Sequence, residues 1–312
     1  MSAAGERVAA AQPRPAVTVH AHLDWVAMAV LLVCCASWGL QQVAVKVALA
    51  EVPPLLQASA RSLVAALLLW GWMALRRDPV LVRDGTLGWG AAAGLLFAGE
   101  FLLIYWGLTY TSASRAVIFL YLSPFVVALG AWLFLPGERL RPLQLAGLAC
   151  AFGGILAAFG ESLTFPDRRM LLGDAMLVGG ALLWGATTVL IKASPLAGAS
   201  PGRVLLYQLG VSAATLPLGA LLLGESWPSG IGALALGALL YQAVWVAFVT
   251  YLAWFWLVRH YPAPRLASFT FLTPLFGVAA GGWLLAEPLS PGLLVALALV
   301  AAGIWLVNRR PR

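Results

Sequence analysis

The chain has 312 residues, 62% of them hydrophobic and only 10% charged, with a mean hydropathy of +0.91 and a formal net charge of +7. Soluble domains carry about 25% charged residues, so the composition excludes an ordinary water-soluble globule. The apolar runs are long and continuous instead of short and alternating, which excludes a transmembrane barrel and leaves membrane-spanning helices.

Residues 1–23 are polar and rich in Ala and Pro. They lack the short apolar stretch and cleavage motif of a signal peptide and are expected to form a disordered cytoplasmic tail. Ten spans follow, at 24–48, 54–75, 86–110, 113–135, 142–160, 173–193, 202–224, 231–258, 263–285 and 291–308. Each is close to the roughly 20 residues that cross a hydrocarbon core of about 30 Å. The expected fold class is an all-α polytopic membrane protein of ten transmembrane helices. The linkers are short, so consecutive helices should be antiparallel neighbours, and a monomer can suffice.

Arginine and lysine set the orientation. With the N-terminus in the cytoplasm, fourteen of these residues fall on the inner side, four fall outside (Lys46, Arg115, Arg168, Arg169), and Arg61 lies within the second span. Both termini are therefore expected inside. The positive charge is spread between apolar runs and forms no patch, so no nucleic-acid partner is implied. Cys34, Cys35 and Cys150 sit inside apolar runs as packing residues, and His20, His22 and His260 have no metal-ligand spacing, so no cofactor or metal is expected.

The chain repeats itself. "SWGLQQVAVK" at 37–46 returns as "LWGATTVLIK" at 183–192, and Lys46 and Lys192 are the only lysines. "WGLTYTSASRAVIFLYLSP" at 106–124 is matched by "WLVRHYPAPRLASFTFLTP" at 256–274. There Trp106, Arg115 and Pro124 correspond to Trp256, Arg265 and Pro274, each 150 residues on. Glu138 corresponds to Glu287 and Gly154 to Gly303; Pro54 and Pro201 open the second and seventh spans, with Arg61 and Gln208 seven residues later. Two halves are expected, 24–160 and 173–308, joined by a loop at 161–172 and followed by a cytoplasmic tail at 309–312. Five spans per half is odd, so the halves should be inverted across the membrane, an arrangement common in secondary transporters.

These repeated motifs resemble the drug/metabolite transporter superfamily, specifically ten-helix exporters with two EamA-type repeats, over residues 24–308. Within it the chain most resembles the YddG-type aromatic amino acid exporters. The resemblance implies a 5+5 inverted topology around a central cavity and export of small metabolites across the bacterial inner membrane.

Polar groups inside spans are the functional candidates, because lipid makes them costly. Glu100, mid-way along the third span, is either a proton-coupling or amine-binding carboxylate or a hydrogen-bonded structural residue. Trp38, Gln42 and Lys46 share one face of the first span, and Trp184, Thr188 and Lys192 one face of the sixth. These faces are expected to line the cavity, with the lysines either at its two mouths or snorkelling to the interface. Arg61 is a candidate for a substrate carboxylate or for an ion pair with Glu100. Arg115 and Arg265 stand at helix starts, where a cation is disfavoured, so other groups should hold them; they are either gating contacts or interface anchors. Pro124 and Pro274 are either hinges or static kinks. Tyr105, Gln242 and Tyr251 complete an aromatic and hydrogen-bonding lining suited to an amphipathic substrate.

The chain has no phosphate-binding loop and no hydrolase motif, so energy is expected from a substrate gradient or coupled protons, and no enzyme activity is expected. The first reading is an exporter of aromatic or apolar amino acids working by alternating access. Broad export of amphipathic cations, an intramembrane lipid-modifying enzyme and a membrane scaffold are the alternatives.

Overall fold

A computed structural model describes residues 22–80, 82–111, 113–138, 141–160, 166–284 and 292–309. Backbone N–H and C=O groups find no partners in hydrocarbon, so a spanning segment must satisfy them internally. Accordingly every described span is helical, with no strand among the described residues. The helices are α1 (Trp25–Leu49), α2 (Pro54–Leu75), α3 (Thr86–Gly107), α4 (Ala113–Leu120), α5 (Ser123–Phe134), α6 (Pro142–Phe159) and α7 (Arg168–Ala193). They continue with α8 (Pro201–Leu222), α9 (Ala233–Leu240), α10 (Tyr251–His260), α11 (Ala263–Phe269), α12 (Leu272–Leu284) and α13 (Gly292–Asn308). A 3-10 turn, Pro195–Gly198, precedes α8, and a π-helical stretch, Tyr241–Thr250, joins α9 to α10.

Among the described residues nine stretches are long and apolar enough to cross a membrane, while α13 is shorter at 17 residues. The chain is thus an all-helical polytopic membrane protein. Leu75, Leu222 and Leu294 are 75–87% exposed on its outside, an arrangement stable only against lipid.

Local chemistry sets the helix starts. Asp24, Asp167 and Ser200 accept hydrogen bonds from the backbone N–H groups of Ala27, Met170 and Arg203. Proline opens α2, α6, α8 and α11, where its missing N–H costs nothing. The Asp167 cap starts α7 at Arg168, ahead of the expected 173, so the expected 161–172 loop is shortened. The tail residues 1–21, loop residues 161–165, Glu287 and residues 310–312 lie outside the described residues.

Three expected spans are not continuous α-helices. The fourth is divided between α4 and α5, and the ninth between α11 and α12. Pro124 and Pro274 each withhold a backbone N–H from the carbonyl four residues earlier, and the helix opens just upstream, at 121–122 and 270–271. Tyr121 and Phe271, in corresponding positions of the two motifs, meet there with ring centroids 6.0 Å apart. In the eighth span the π stretch changes the hydrogen-bond register: Val246 O accepts from the N–H of Tyr251 and also from the Thr250 hydroxyl, at 2.7 Å.

Glycines set the closest helix approaches. A Cβ added at Gly39 of α1 would lie 2.6 Å from Gly277 N of α12, and one at Gly185 of α7 would lie 2.6 Å from Val126 Cβ and 3.3 Å from Val127 N of α5. Gly39 and Gly185 are the glycines of the two Trp-Gly pairs, and Val127 and Gly277 stand 150 residues apart. The α6–α13 pair behaves the same way: an added Cβ would be 2.8 Å from Gly303 O at Gly147, and 2.8 Å from Ala296 O at Gly154. Helices approach this closely only where side chains are absent.

The main buried cluster joins α1, α2, α3, α8, α10 and α11 around Leu31, Leu69, Phe101, Leu209 and Trp254; a second joins α5, α6, α12 and α13 around Ala128, Leu148, Leu275 and Val300. Gly39→Ala is expected to destabilise the protein by about 1–3 kcal/mol through overpacking, read as a lower melting temperature in detergent. Gly71→Ala, with nothing within 4 Å of the new methyl group, should be neutral or stabilising by up to about 1 kcal/mol.

Candidate functional site

Four elements bring a ring-rich polar cluster into the bundle. From α1, Trp38 donates its indole N–H to Thr250 Oγ1 at 2.9 Å, and its ring meets Tyr251 at 6.0 Å and Trp254 at 5.5 Å, edge to face. From α3, Phe97, Phe101 and Tyr105 fall at i, i+4 and i+8, on one helix face. Phe97 lies 4.8 Å from Phe101 and 6.1 Å from Tyr251, and Phe101 stacks 6.1 Å from Tyr105. From α2, the Arg61 guanidinium sits over the Phe101 ring, 4.1 Å from its centroid. Glu100, also on α3, is 7% exposed and within electrostatic reach of Arg61 and Tyr251.

Of the residues singled out in the sequence, Trp38, Glu100, Tyr105 and Tyr251 therefore come together. Trp184 and Thr188 do not join them: Trp184 packs on Tyr121 at 6.3 Å, beside the broken helices, and the Thr188 hydroxyl donates to Trp184 O at 3.3 Å. Gln242 is fully buried and donates to Gln57 Oε1 at 3.2 Å, tying the π stretch to α2. The Gln42 side chain lies outside the described residues. The ion pair between Arg61 and Glu100 does not form, and none of the Arg61 nitrogens has a hydrogen-bond partner. Phe97, Phe101 and Trp254 were missed as lining, although the 97, 101, 105 spacing is legible without a structure.

Charged contacts gather at the two ends of the bundle. At one end Lys192 Nζ donates to Val258 O (2.9 Å) and Tyr261 O (2.6 Å), a cation at the C-terminus of α10. The Tyr261 hydroxyl donates to Asp24 Oδ2 at 2.8 Å; burial and this carboxylate push the phenol up to about 12. Arg265 lies against the His22 ring. Burial pushes the Glu138 carboxyl above its ordinary range, while Lys192, a backbone N–H at Ala263 and Arg265 pull it back. At the same end Arg203 pairs with Asp84 at 2.7 Å, joining α8 to the turn before α3.

At the other end Arg115 forms a buried ion pair with Asp174 of α7, whose Oδ1 also accepts from the Thr111 hydroxyl at 2.8 Å. This pair holds a cation at the disfavoured start of α4. Glu225 accepts from the N–H groups of Leu55 (3.2 Å) and Leu56 (3.0 Å), capping α2. Lys46 is exposed, in contrast to half-buried Lys192. Cys34, Cys35 and Cys150 donate to backbone carbonyls of Thr250, Phe269 and Leu299 and act as packing residues. Among the described residues no group of three His, Cys, Asp or Glu is placed to hold a metal.

The EamA-like transporter family matches this chain twice, over residues 25–160 and 171–309. The chain belongs to that family, within the drug/metabolite transporter superfamily. It is 30% identical over 281 residues to an uncharacterized transporter of Bacillus subtilis, YvbV, covering 88% of this chain and 89% of that one. It is also 30% identical to a probable amino-acid metabolite efflux pump of Salmonella typhimurium, over 86% of this chain and 90% of the relative. A protein of the same description in Escherichia coli is 27% identical over the same shares. A solved crystal structure superposes with a TM-score of 0.76 at 20% identity, covering 90% of this chain and 95% of its own, which shows a shared fold. The protein is accordingly a multi-pass membrane transporter, and the family and relatives speak against an enzyme.

The Asp84–Arg203 contact generates a pH prediction. The Thr86 hydroxyl and N–H, together with Arg203, hold the Asp84 carboxyl well below the usual carboxylate range. A depressed native value means that the stabilisation is present above the unfolded value of about 4 and is lost as pH falls toward the native one. Asp84→Asn should cost about 2 kcal/mol at pH 7. Its deficit in melting temperature relative to wild type should shrink progressively below about pH 4.

Proposed function

We propose that this transporter exports small amphipathic metabolites, foremost amino acids with aromatic or apolar side chains, across the bacterial inner membrane by alternating access. The observation that carries this reading is the cluster of Trp38, Phe97, Phe101, Tyr105 and Tyr251 around the intramembrane Glu100. Apolar rings suit an apolar side chain, and a carboxylate suits its ammonium group or a coupled proton. The relatives named as amino-acid metabolite efflux pumps support the same substrate class.

Ten helices in two inverted halves, 24–160 and 173–308, with both termini cytoplasmic, form the framework of this reading. Support comes from paired contacts: Gly39 with Gly277 and Gly185 with Val127; Gly147 with Gly303 and Gly154 with Ala296. Each pair becomes the other when one half is exchanged for its counterpart, as an internal two-fold axis requires. The breaks upstream of Pro124 and Pro274 serve as hinges. Arg115, Arg265, Lys46 and Lys192 act at the two mouths. Trp184 and Thr188 line the path beside the broken helices, and Gln242 belongs to the same lining.

A second reading draws on the same carboxylate among rings, which is also the chemistry of an organic-cation site. Both are tested by efflux of radiolabelled phenylalanine, leucine and a lipophilic cation from loaded proteoliposomes, with and without a pH gradient. The expected result is amino-acid efflux above empty vesicles that responds to the gradient, with Glu100→Gln abolishing the response and lowering flux at least tenfold, about 1.4 kcal/mol of barrier. Movement of the cation alone would replace the amino-acid reading with the second one. Unchanged gradient response in Glu100→Gln would return that residue to a structural role.

A further inference from the structure

Four described arginines are almost inaccessible: Arg61, Arg115, Arg203 and Arg265. Three have polar partners, namely Asp174 for Arg115, Asp84 for Arg203 and the His22 ring for Arg265. Arg61 is the most deeply buried of the four, at 1% exposure, and its Nε, Nη1 and Nη2 all lack a hydrogen-bond partner. Glu100 makes no ion pair with it, and the Tyr251 hydroxyl interacts with it without satisfying any of its three nitrogens in good hydrogen-bond geometry.

A guanidinium cannot shed its proton to escape this cost, as a buried lysine can. Its compensation is the aromatic face of Phe101 at 4.1 Å, more weakly that of Tyr251 at 5.8 Å, and the electrostatic reach of Glu100 and the Tyr251 hydroxyl. A cation–π contact offsets only part of the cost of burying an ion and satisfies none of its in-plane N–H groups. A ring over the face leaves the edges of the guanidinium as the place where an acceptor must come. The neighbouring hydroxyl of Ser62, and Gln208 Oε1 and Ser212 Oγ on α8, are buried and unpartnered as well, so the unmet hydrogen bonds concentrate on α2 and the helix packed against it.

We propose that Arg61 is the docking group for the substrate's carboxylate, taken edge-on through two parallel N–H···O bonds, with the substrate's ammonium group directed to Glu100. The inference rests on the amino-acid reading above and narrows it to zwitterions. The chemistry selects against alternatives. A dianionic phosphate would meet the Glu100 charge as well as the Arg61 one, and a simple cation would meet Arg61. An α-amino acid answers both groups and places its side chain among Phe97, Tyr105 and Tyr251.

The test compares proteoliposome transport of phenylalanine with that of phenethylamine, which differs only by the carboxylate, in wild type, Arg61→Gln and Arg61→Lys. Phenylalanine's protection of each purified variant against thermal unfolding is measured alongside. Arg61→Gln is expected to raise the half-saturation concentration for phenylalanine at least tenfold and to abolish its thermal protection, while phenethylamine flux is maintained or rises as the repelling charge is removed. Arg61→Lys keeps the charge but loses the planar fork, and should recover part of the phenylalanine affinity. If Arg61→Gln fails to fold, Arg61→Lys carries the test: an unchanged phenylalanine-to-phenethylamine ratio overturns the assignment. Equal losses for both compounds in Arg61→Gln also overturn it. A wild type that moves no amino acid defeats the amino-acid reading itself, and that outcome is visible before any variant is made.

Discussion

A charge inside a membrane protein has to be answered by the protein, because lipid offers neither a counterion nor a hydrogen bond. The polar layout of this transporter follows from that constraint. At one end Arg203 finds Asp84, Arg265 finds His22, and Lys192 finds the terminal carbonyls of α10. At the other, Arg115 finds Asp174. All of these link elements distant in sequence, so they fix how the ends of helices meet. The centre is different: Arg61 and Glu100 sit among aromatic rings with no ion pair between them. Polar groups at the ends are consumed in holding the bundle together, whereas Arg61 at the centre keeps its hydrogen bonds unmet.

The packing frame and the polar centre obey different rules. Glycine contacts recur in matched pairs, because close helix approach depends only on the absence of a side chain, and both matched segments keep that absence at Gly39 and Gly185. Polar residues of the centre do not recur in this way. Arg61 corresponds in the repeat to Gln208, an uncharged residue whose amide donates to Val204 O of its own helix. Thr250 accepts the Trp38 indole, while its counterpart by the same spacing is Glu100. A frame built from equivalent contacts thus encloses a centre whose cation and carboxylate, Arg61 and Glu100, have uncharged counterparts in the other half.

Much of this was legible in the sequence. Helix positions followed from run length, and starts from proline and capping residues; α2 begins at Pro54 and α6 at Pro142, as expected. Trp38, Glu100, Tyr105 and Tyr251 stood out by their polarity within apolar spans as separate candidates; that they are neighbours is a finding of the structure. Other features depended on contacts that a single sequence does not display. Helical spacing placed Trp184 and Thr188 on one face, but only tertiary packing turned that face to Tyr121 and the broken helices. Whether Arg61 met Glu100 was a matter of distance, which no spacing rule decides across two helices. The π stretch carries no proline or glycine inside it to announce itself.

The irregular backbone segments point to the same interior as the side chains. Non-helical or loosened backbone at membrane depth is tolerated only where protein or trapped water surrounds it. The break at 121–122 includes Tyr121 at 6% exposure, that at 270–271 includes Phe271 at 0%, and the π stretch ends on Thr250 at 2%. None of these three residues faces lipid, while the far side of the π stretch does so through Val244, Trp245 and Val249. Thr250 is bonded to Trp38 of the central cluster, while Tyr121 and Phe271 meet each other beside Trp184. The π stretch therefore borders the central rings, and the two breaks border Trp184. A segment with a missing or displaced backbone hydrogen bond yields more readily than a regular one, and the π stretch leads directly into Tyr251, whose ring lies 5.8 Å from the Arg61 guanidinium. The glycine-packed pairs and the paired charges at the ends hold the rest of the bundle in register.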